Sequence, residues 1–377
     1  MQQANQEASR HSSSLFAEAE RQLNICNSCR YCEGYCAVFP AMERLATFSD
    51  GGITHLANLC HDCRDCYYAC MYSPPHAFAI NPPQIFSEIR RTTYDGKLGS
   101  SIEHWPSRFR GWRPVTAVIV VAAVIIAALS VLTGNKHSLW PHANGPASPY
   151  SVISYGAILV VTLIPFLASV YLMLRSAARY WRHIDGSLKM TGGYQALYRA
   201  ISYAGDLRYL KGGGAGCAYP EEEMSQSRRY LHAATFYGFI ALLISTMSAA
   251  VIQDILGSDP PYRLLSVPVI FGVGGGLGLV AGCTSLLALK LRANAALSDS
   301  AMIKRDYGLL IGLDLLGVTG LLAFALRTTP VYAITLAVHL ALVLAAFVFA
   351  IYSKFVHFIY RFLSIVKDNQ ANGSIDD

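Results

Sequence analysis

The chain has 377 residues, 53% of them apolar and only 14% charged, which is too apolar for an ordinary soluble protein, where about a quarter of residues are charged. The formal net charge of +6 does not mark a nucleic-acid binder, because most basic residues sit in loops beside long apolar runs. Those runs begin after Pro114, and the first positions are polar, so the reading is a soluble head without a signal peptide, followed by a polytopic domain in a lipid bilayer.

Residues 1–22 read as a polar, disordered tail, with a helix starting within 15–23. The helix leads into the first of two cysteine runs, Cys26, Cys29, Cys32 and Cys36, then Cys60, Cys63, Cys66 and Cys70. Each run is C-x2-C-x2-C-x3-C, and together they use eight of the ten cysteines. Four thiolates suit zinc or iron–sulfur. Structural zinc usually takes two separated pairs, whereas three cysteines at three-residue steps plus a fourth wrap a cubane cluster. Two [4Fe–4S] clusters are therefore expected. In two-cluster ferredoxins the fourth cysteine of each run serves the other cluster. That rule gives Cys26, Cys29, Cys32 and Cys70 to one cluster, and Cys60, Cys63, Cys66 and Cys36 to the other. Ala37 and Met71 stand where proline usually follows the bacterial run. Zinc ribbons or a disulfide framework are the alternatives, and the latter belongs to small secreted scaffolds.

Between the runs, Pro40 and Gly51–Gly52 interrupt helix-like spacing, which predicts an α-helical ferredoxin head over 1–94. Pro74, Pro75, Pro82 and Pro83 predict a rigid extended segment and then a short helix. A basic linker, 95–114, carries Arg108, Arg110 and Arg113. Six spans follow near 115–132, 152–174, 231–252, 267–289, 307–326 and 331–355, within a membrane domain over 115–363, and 364–377 reads as a polar tail. The loops 175–230 and 290–306 hold most of the lysine and arginine, which puts them, both termini and the cysteine head on the cytoplasmic side. The fold class is thus all-α: a helical dicluster ferredoxin on a six-helix bundle.

The loop stretch LRYLKGGGAGCAYPEEE has three consecutive glycines but no GK[ST], so a turn packed on the head or on a partner is favoured over a phosphate loop. Cys217 and Cys283 read as free structural thiols. The glycines of the fourth span, Gly272 to Gly282, read as close helix packing. Asp314, deep in the fifth span, is either a proton carrier for quinone chemistry or a satisfied structural carboxyl.

Polar side chains in a bilayer are costly, which makes the membrane histidines candidates for function. His339 and His357 are 18 residues apart on what reads as one last helix, hence on one face and about 27 Å apart along the axis. One haem cannot use both. His232 and His357 share cytoplasmic depth and are the predicted axial ligands of one b-type haem, with Arg228, Arg229 and Arg361 toward its propionates. A second haem on His339 needs another histidine deep in the third span, where Leu242 stands. His339 is left for packing or a quinone site.

The stretches ITHLANLCHDCRDCYYAC, LRYLKGGGAGCAYP and RRYLHAATFYGF carry a resemblance, over nearly the whole chain, to the tricarballylate/citrate utilisation protein B family. The chain also resembles the membrane half of a fused flavin–iron–sulfur–haem protein of cobalamin synthesis. More distantly, its histidines are similar to those of the haem b subunit of respiratory nitrate reductase. The resemblance implies a bacterial inner-membrane protein that reoxidises a partner FAD-dependent dehydrogenase of tricarballylate-like acids. Electrons then pass through the clusters and haem b to membrane quinone, and the chain has no organic-substrate site of its own. The other readings are a quinol-oxidising subunit that feeds a reductase and, from another class, a tricarboxylate transporter with regulatory clusters. Transporters show internal repeats, and none is clear here.

Overall fold

The computed structural model describes residues 2–97, 112–134, 146–186, 193–212 and 214–373. Arg108 and Arg110 of the basic linker lie outside them. The head is helical, with α1 (Gln2–Cys29), α2 (Val38–Glu43), α3 (Asp50–Leu59), α4 (Asp65–Tyr68) and α5 (Pro82–Thr92). The expected disordered tail is instead the start of α1, in a stretch rich in Ala, Glu and Gln and free of Gly and Pro. Ser49 caps α3 by accepting from the Gly52 N–H, and Asn81 caps α5 by accepting from that of Gln84. Pro82 and Pro83 occupy the first turn of α5, where a missing N–H costs nothing.

Six helices are long and apolar enough to cross a membrane. In chain order the elements are α6 (Trp112–Thr133), the short α7 (Pro149–Val152), α8 (Tyr155–His183), α9 (Gly193–Gly205), α10 (Ser227–Asp254), α11 (Val267–Arg292), α12 (Ser300–Ala325) and α13 (Tyr332–Phe349). A two-residue hairpin, β1 (Cys217–Ala218) with β2 (Met224–Ser225), is the one departure from an all-helical chain among the described residues. Gly275, Gly276 and Gly282 of α11 act as expected, while a Cβ on Gly274 would meet nothing within 4 Å. A Cβ on Gly275 would lie 2.8 Å from the Gly238 carbonyl oxygen, and one on Gly238 would lie 2.6 Å from the Leu279 nitrogen. Only glycine permits that approach of α10 to α11.

Two expectations need correction. The last span does not run on to His357: α13 ends at Phe349, 3-10 turns follow, and Ser353 is extended before α14 (His357–Gly373) begins. The cause is polar. The Ser353 hydroxyl accepts from the Phe355 N–H, and Lys354 turns to bond Asp306 of α12. His339 and His357 therefore share no continuous helix face. Nor is 364–373 a tail, since Ile365, Val366, Asp368 and Asn369 of α14 are buried. Asp368 pairs with Arg44 of the head, and the Tyr180 and Ser364 hydroxyls meet at 2.5 Å.

The head and the membrane bundle share one hydrophobic core. Leu23, Met42, Ile53, Leu56 and Ile89 pack in the same cluster as Tyr180 of α8, Ala200 of α9, and Val356 and Tyr360 near the start of α14. Beside that core Asp306 bonds both Lys290 of α11 and Lys354. Removing the one anion of a buried charge network leaves its cations uncompensated, typically at about 3–5 kcal/mol. The Asp306→Ala variant should lose stability on that scale, read as a lower thermal midpoint in detergent, whereas Glu20→Ala, at an exposed position of α1, should stay near the parent.

Candidate metal centre

The two cysteine runs fold differently. Cys26 and Cys29 sit on the last turn of α1, and Arg30 then turns the chain with φ 55°. In the second run Asp62 (φ 55°) and Arg64 (φ 69°) bend the backbone between successive cysteines. Arg30 and Arg64 hold the same place in their runs, directly after the second cysteine. Left-handed backbone is uncommon for such residues and clusters at ligand clamps.

This folding surrounds two cavities with cysteine. One is lined by Cys26, Cys29, Cys32, Cys66 and Cys70. The other is lined by Cys26, Cys36, Cys60, Cys63 and Cys66. Each cavity thus draws two cysteines from the other run, and Cys26 and Cys66 line both. Cys29 is exposed at the outer cavity, while Cys32 and Cys63 are buried. Burial, reinforced by Cys70, Cys32 and Cys29, pushes the Cys26 thiol up to about 12. Burial, then Cys70 and Cys29, pushes Cys32 up to about 11. Burial also raises Cys66, next to Cys63 and Cys60, and a hydrogen bond with Cys36 raises Cys63. Such thiols stay protonated unless a cation replaces the protons, so metal uptake here must release protons.

Among the described residues no three His, Cys, Asp or Glu side chains converge as they would on a single metal ion. A polynuclear cluster spreads its four thiolates around a volume, one to each iron, and the eight cysteines around these two cavities are enough for two such donor sets. The residues fit the group expected from the sequence.

The inner cavity faces the bundle. Arg64, 2% exposed, donates to the Asn294 carbonyl at 3.1 Å and the Ser298 hydroxyl at 3.2 Å, just beyond α11. The Tyr219 ring lies between the guanidiniums of Arg64 and Arg228, each 4.7 Å from its centroid. The Ala218 N–H donates to Asp65 at 2.6 Å, and Cys217 packs with Cys63 and Tyr219. The glycine-rich loop therefore packs on the head, as its sequence suggested. Both lone cysteines are buried, Cys217 against the Leu210 carbonyl and Cys283 against Thr235.

The three arginines expected around a haem do different things. Arg361 donates to the Cys60 carbonyl at 2.9 Å, and Arg228 to the Asp62 carbonyl at 2.6 Å. Arg229 pairs with Asp206 at 2.9 Å. None of these contacts is to a histidine. The His357 Nδ1–H donates to the Lys354 carbonyl at 2.6 Å, which leaves Nε2 as the free lone pair, the arrangement metal-bound histidines use. Burial, then Arg361, Lys354 and His232, holds the His357 imidazole well below its ordinary value, hence neutral. The Nδ1 of His232 is buried without a partner. His232 and His357 thus share one electrostatic neighbourhood, and their donor chemistry fits an axially ligated haem. His339 packs elsewhere, with Nδ1 3.1 Å from the Thr319 hydroxyl. Asp314 accepts from Thr284 at 3.0 Å.

One residue was missed in the sequence. His61, directly after Cys60, bonds the Leu59 carbonyl through Nδ1 at 2.7 Å. Burial, then Arg361, holds it well below its ordinary value, with smaller effects from Arg228 and His232. It lines the inner cavity, and its ring packs 5.2 Å from that of Tyr209. Its place inside a cysteine run was the available signal.

These features define a class: a multi-pass membrane-helix protein with a helical head that holds two cysteine-lined cavities, the inner one facing its bundle. Family comparison narrows it. The Citrate utilization protein B model matches residues 110–374, and the Citrate utilization protein B Fer4-like domain matches 19–96. A relative, Citrate utilization protein B of Escherichia coli, is 36% identical over 358 residues, 93% of this chain and 91% of that protein. The chain belongs to the citrate utilization protein B family. No solved structure matches it.

The Arg64 clamp gives a direct test of how the head is held. A buried hydrogen-bonded guanidinium is worth about 1.5–3 kcal/mol per bond to a charged donor. Arg64→Ala should loosen the head, seen as faster limited proteolysis near 60–72 in detergent, while the exposed Arg21→Ala should leave the cleavage rate unchanged.

Proposed function

We propose that this chain is the membrane electron-transfer partner of an FAD-dependent dehydrogenase acting on citrate-like tricarboxylic acids, and that it delivers electrons to membrane quinone. The observation that carries the reading is the pair of cavities in which each run lends cysteines to the other. On this reading Cys26, Cys29, Cys32 and Cys70 hold one [4Fe–4S] cluster and Cys36, Cys60, Cys63 and Cys66 the other. His232 and His357 hold one haem b. The family and its relative's name point to tricarballylate or citrate use.

When bound, these groups carry one electron at a time, which joins the two-electron chemistry of a reduced flavin to that of a quinone. The flavin loses two electrons and two protons, and the quinone gains two of each. The chain's own part is ligation, spacing and exclusion of water. The Lys354 carbonyl fixes the His357 tautomer, and Lys354 is itself held by Asp306. The shared core fixes the head against the bundle. The basic loops 175–230 and 290–306, which the head touches, favour a cytoplasmic head in a bacterial inner membrane, where a soluble dehydrogenase has access.

Stopped-flow mixing with the pre-reduced dehydrogenase tests the sequence of events. Bleaching of cluster absorbance should precede or accompany haem reduction, and added quinone should reoxidise both. In Cys66→Ser the haem should stay oxidised. Normal haem reduction in that variant contradicts the path through the cysteine head. For the ligands, His232→Ala and His357→Ala should each lose the low-spin b-type spectrum while His339→Ala keeps it. Loss in His339→Ala with retention in His357→Ala rules out the pairing.

A further inference from the structure

The two cysteine cavities have unlike surroundings. The inner one is bounded by the loop from Cys60 to Cys66, and guanidiniums converge on that loop from outside it. Arg90, 4% exposed, donates to the Ala57 carbonyl at 2.8 Å and the Cys60 carbonyl at 3.3 Å. Arg361 arrives from α14 and donates to the same Cys60 carbonyl at 2.9 Å. Arg228 holds the Asp62 carbonyl at 2.6 Å. The Asp62 N–H also donates to Cys60 Sγ at 3.4 Å. The outer cavity has a different rim: Cys29 is exposed, and Tyr31 and Met71 are 60% and 62% exposed. The cation in its own run, Arg30, is half exposed and faces Glu43 at 3.8 Å.

We propose that Arg90 and Arg361 are positioning residues that raise the reduction potential of the inner cysteine site above that of the outer one, so that electrons enter at the outer site and leave toward His232 and His357. The proposal rests on the reading that each cavity holds a [4Fe–4S] cluster. Each reduction adds one negative charge to a site already made of four thiolates. Net charge, hydrogen bonds to sulfur and solvent exposure set how favourable that is. Fixed cations and an N–H···S bond favour the added charge at the inner site.

Burial works against it, because low dielectric penalises net charge. The same low dielectric strengthens the attraction of guanidiniums already held there, and although the Asp62 carboxylate of this loop offsets part of their charge, Arg64, Arg90, Arg228 and Arg361 outnumber it. With two cations on one carbonyl, attraction wins. The step balances simply: the outer site loses one electron, the inner site gains it, and no proton moves. Reduced flavin of the partner refills the outer site, and quinone is the final oxidant. Arg361 thus serves the cluster loop.

The test is a potentiometric titration of the intact purified protein, followed by electron paramagnetic resonance. Cys29→Ser, at an exposed position, identifies the outer signal as the one it perturbs. The inner site should titrate higher, with an electron preference of about tenfold or more, which is about 59 mV for one electron. Arg361→Gln should lower the inner midpoint more than the haem midpoint and leave the outer midpoint unchanged, and Arg361→Lys should restore most of the shift. Equal or reversed midpoints in the parent protein overturn the proposal, whether or not the Arg361 variants fold. So does an Arg361→Gln variant that shifts the haem alone. Absence of two cluster signals in the reduced parent brings down the cluster reading itself, and this inference with it.

Discussion

Charge buried at the junction of head and bundle has to be met by something, and in this protein it is met largely by backbone carbonyls of the second cysteine run. Arg90, Arg228 and Arg361 come from three separate parts of the chain and all end on residues 57–62. Arg64 leaves that run in the opposite sense and ends on the loop after α11. A unit charge about 6 Å from another is worth about 3 kcal/mol at an effective dielectric near 20. Several such cations fix the loop strongly, and they leave it electropositive. The loop is therefore both the mechanical joint between the two halves and the place where a negative cofactor is best received.

The same joint explains the order of parts along the bundle. Asp306 draws Lys354 inward, the helix breaks at Ser353, and the Lys354 carbonyl receives the His357 ring. Four residues on, Arg361 reaches the Cys60 carbonyl. A histidine oriented for ligation and an arginine on a cysteine loop thus sit on successive turns of α14.

Much of this was legible in the sequence because it is local. Cysteine spacing is local, so the two runs and their gathering around shared cavities could be read directly. Apolar length is local too, and the six spans fall where the hydrophobic runs do. The break at Ser353 was hidden, since 331–360 stays apolar and the lysine that bends it answers to an aspartate in another helix. The buried face of α14 was hidden for the same reason: Asp368 is polar on paper and buried only because Arg44 meets it. The carbonyl contacts of Arg228 and Arg361 were not legible, because those partners lie 166 and 301 residues away.

The central claim is that the exchanged quartets hold iron and sulfide. Metal and acid-labile sulfide analysis of anaerobically purified protein tests it most directly. The account predicts about eight iron and eight sulfide per chain, apart from haem iron. Stoichiometric zinc with no sulfide would contradict it.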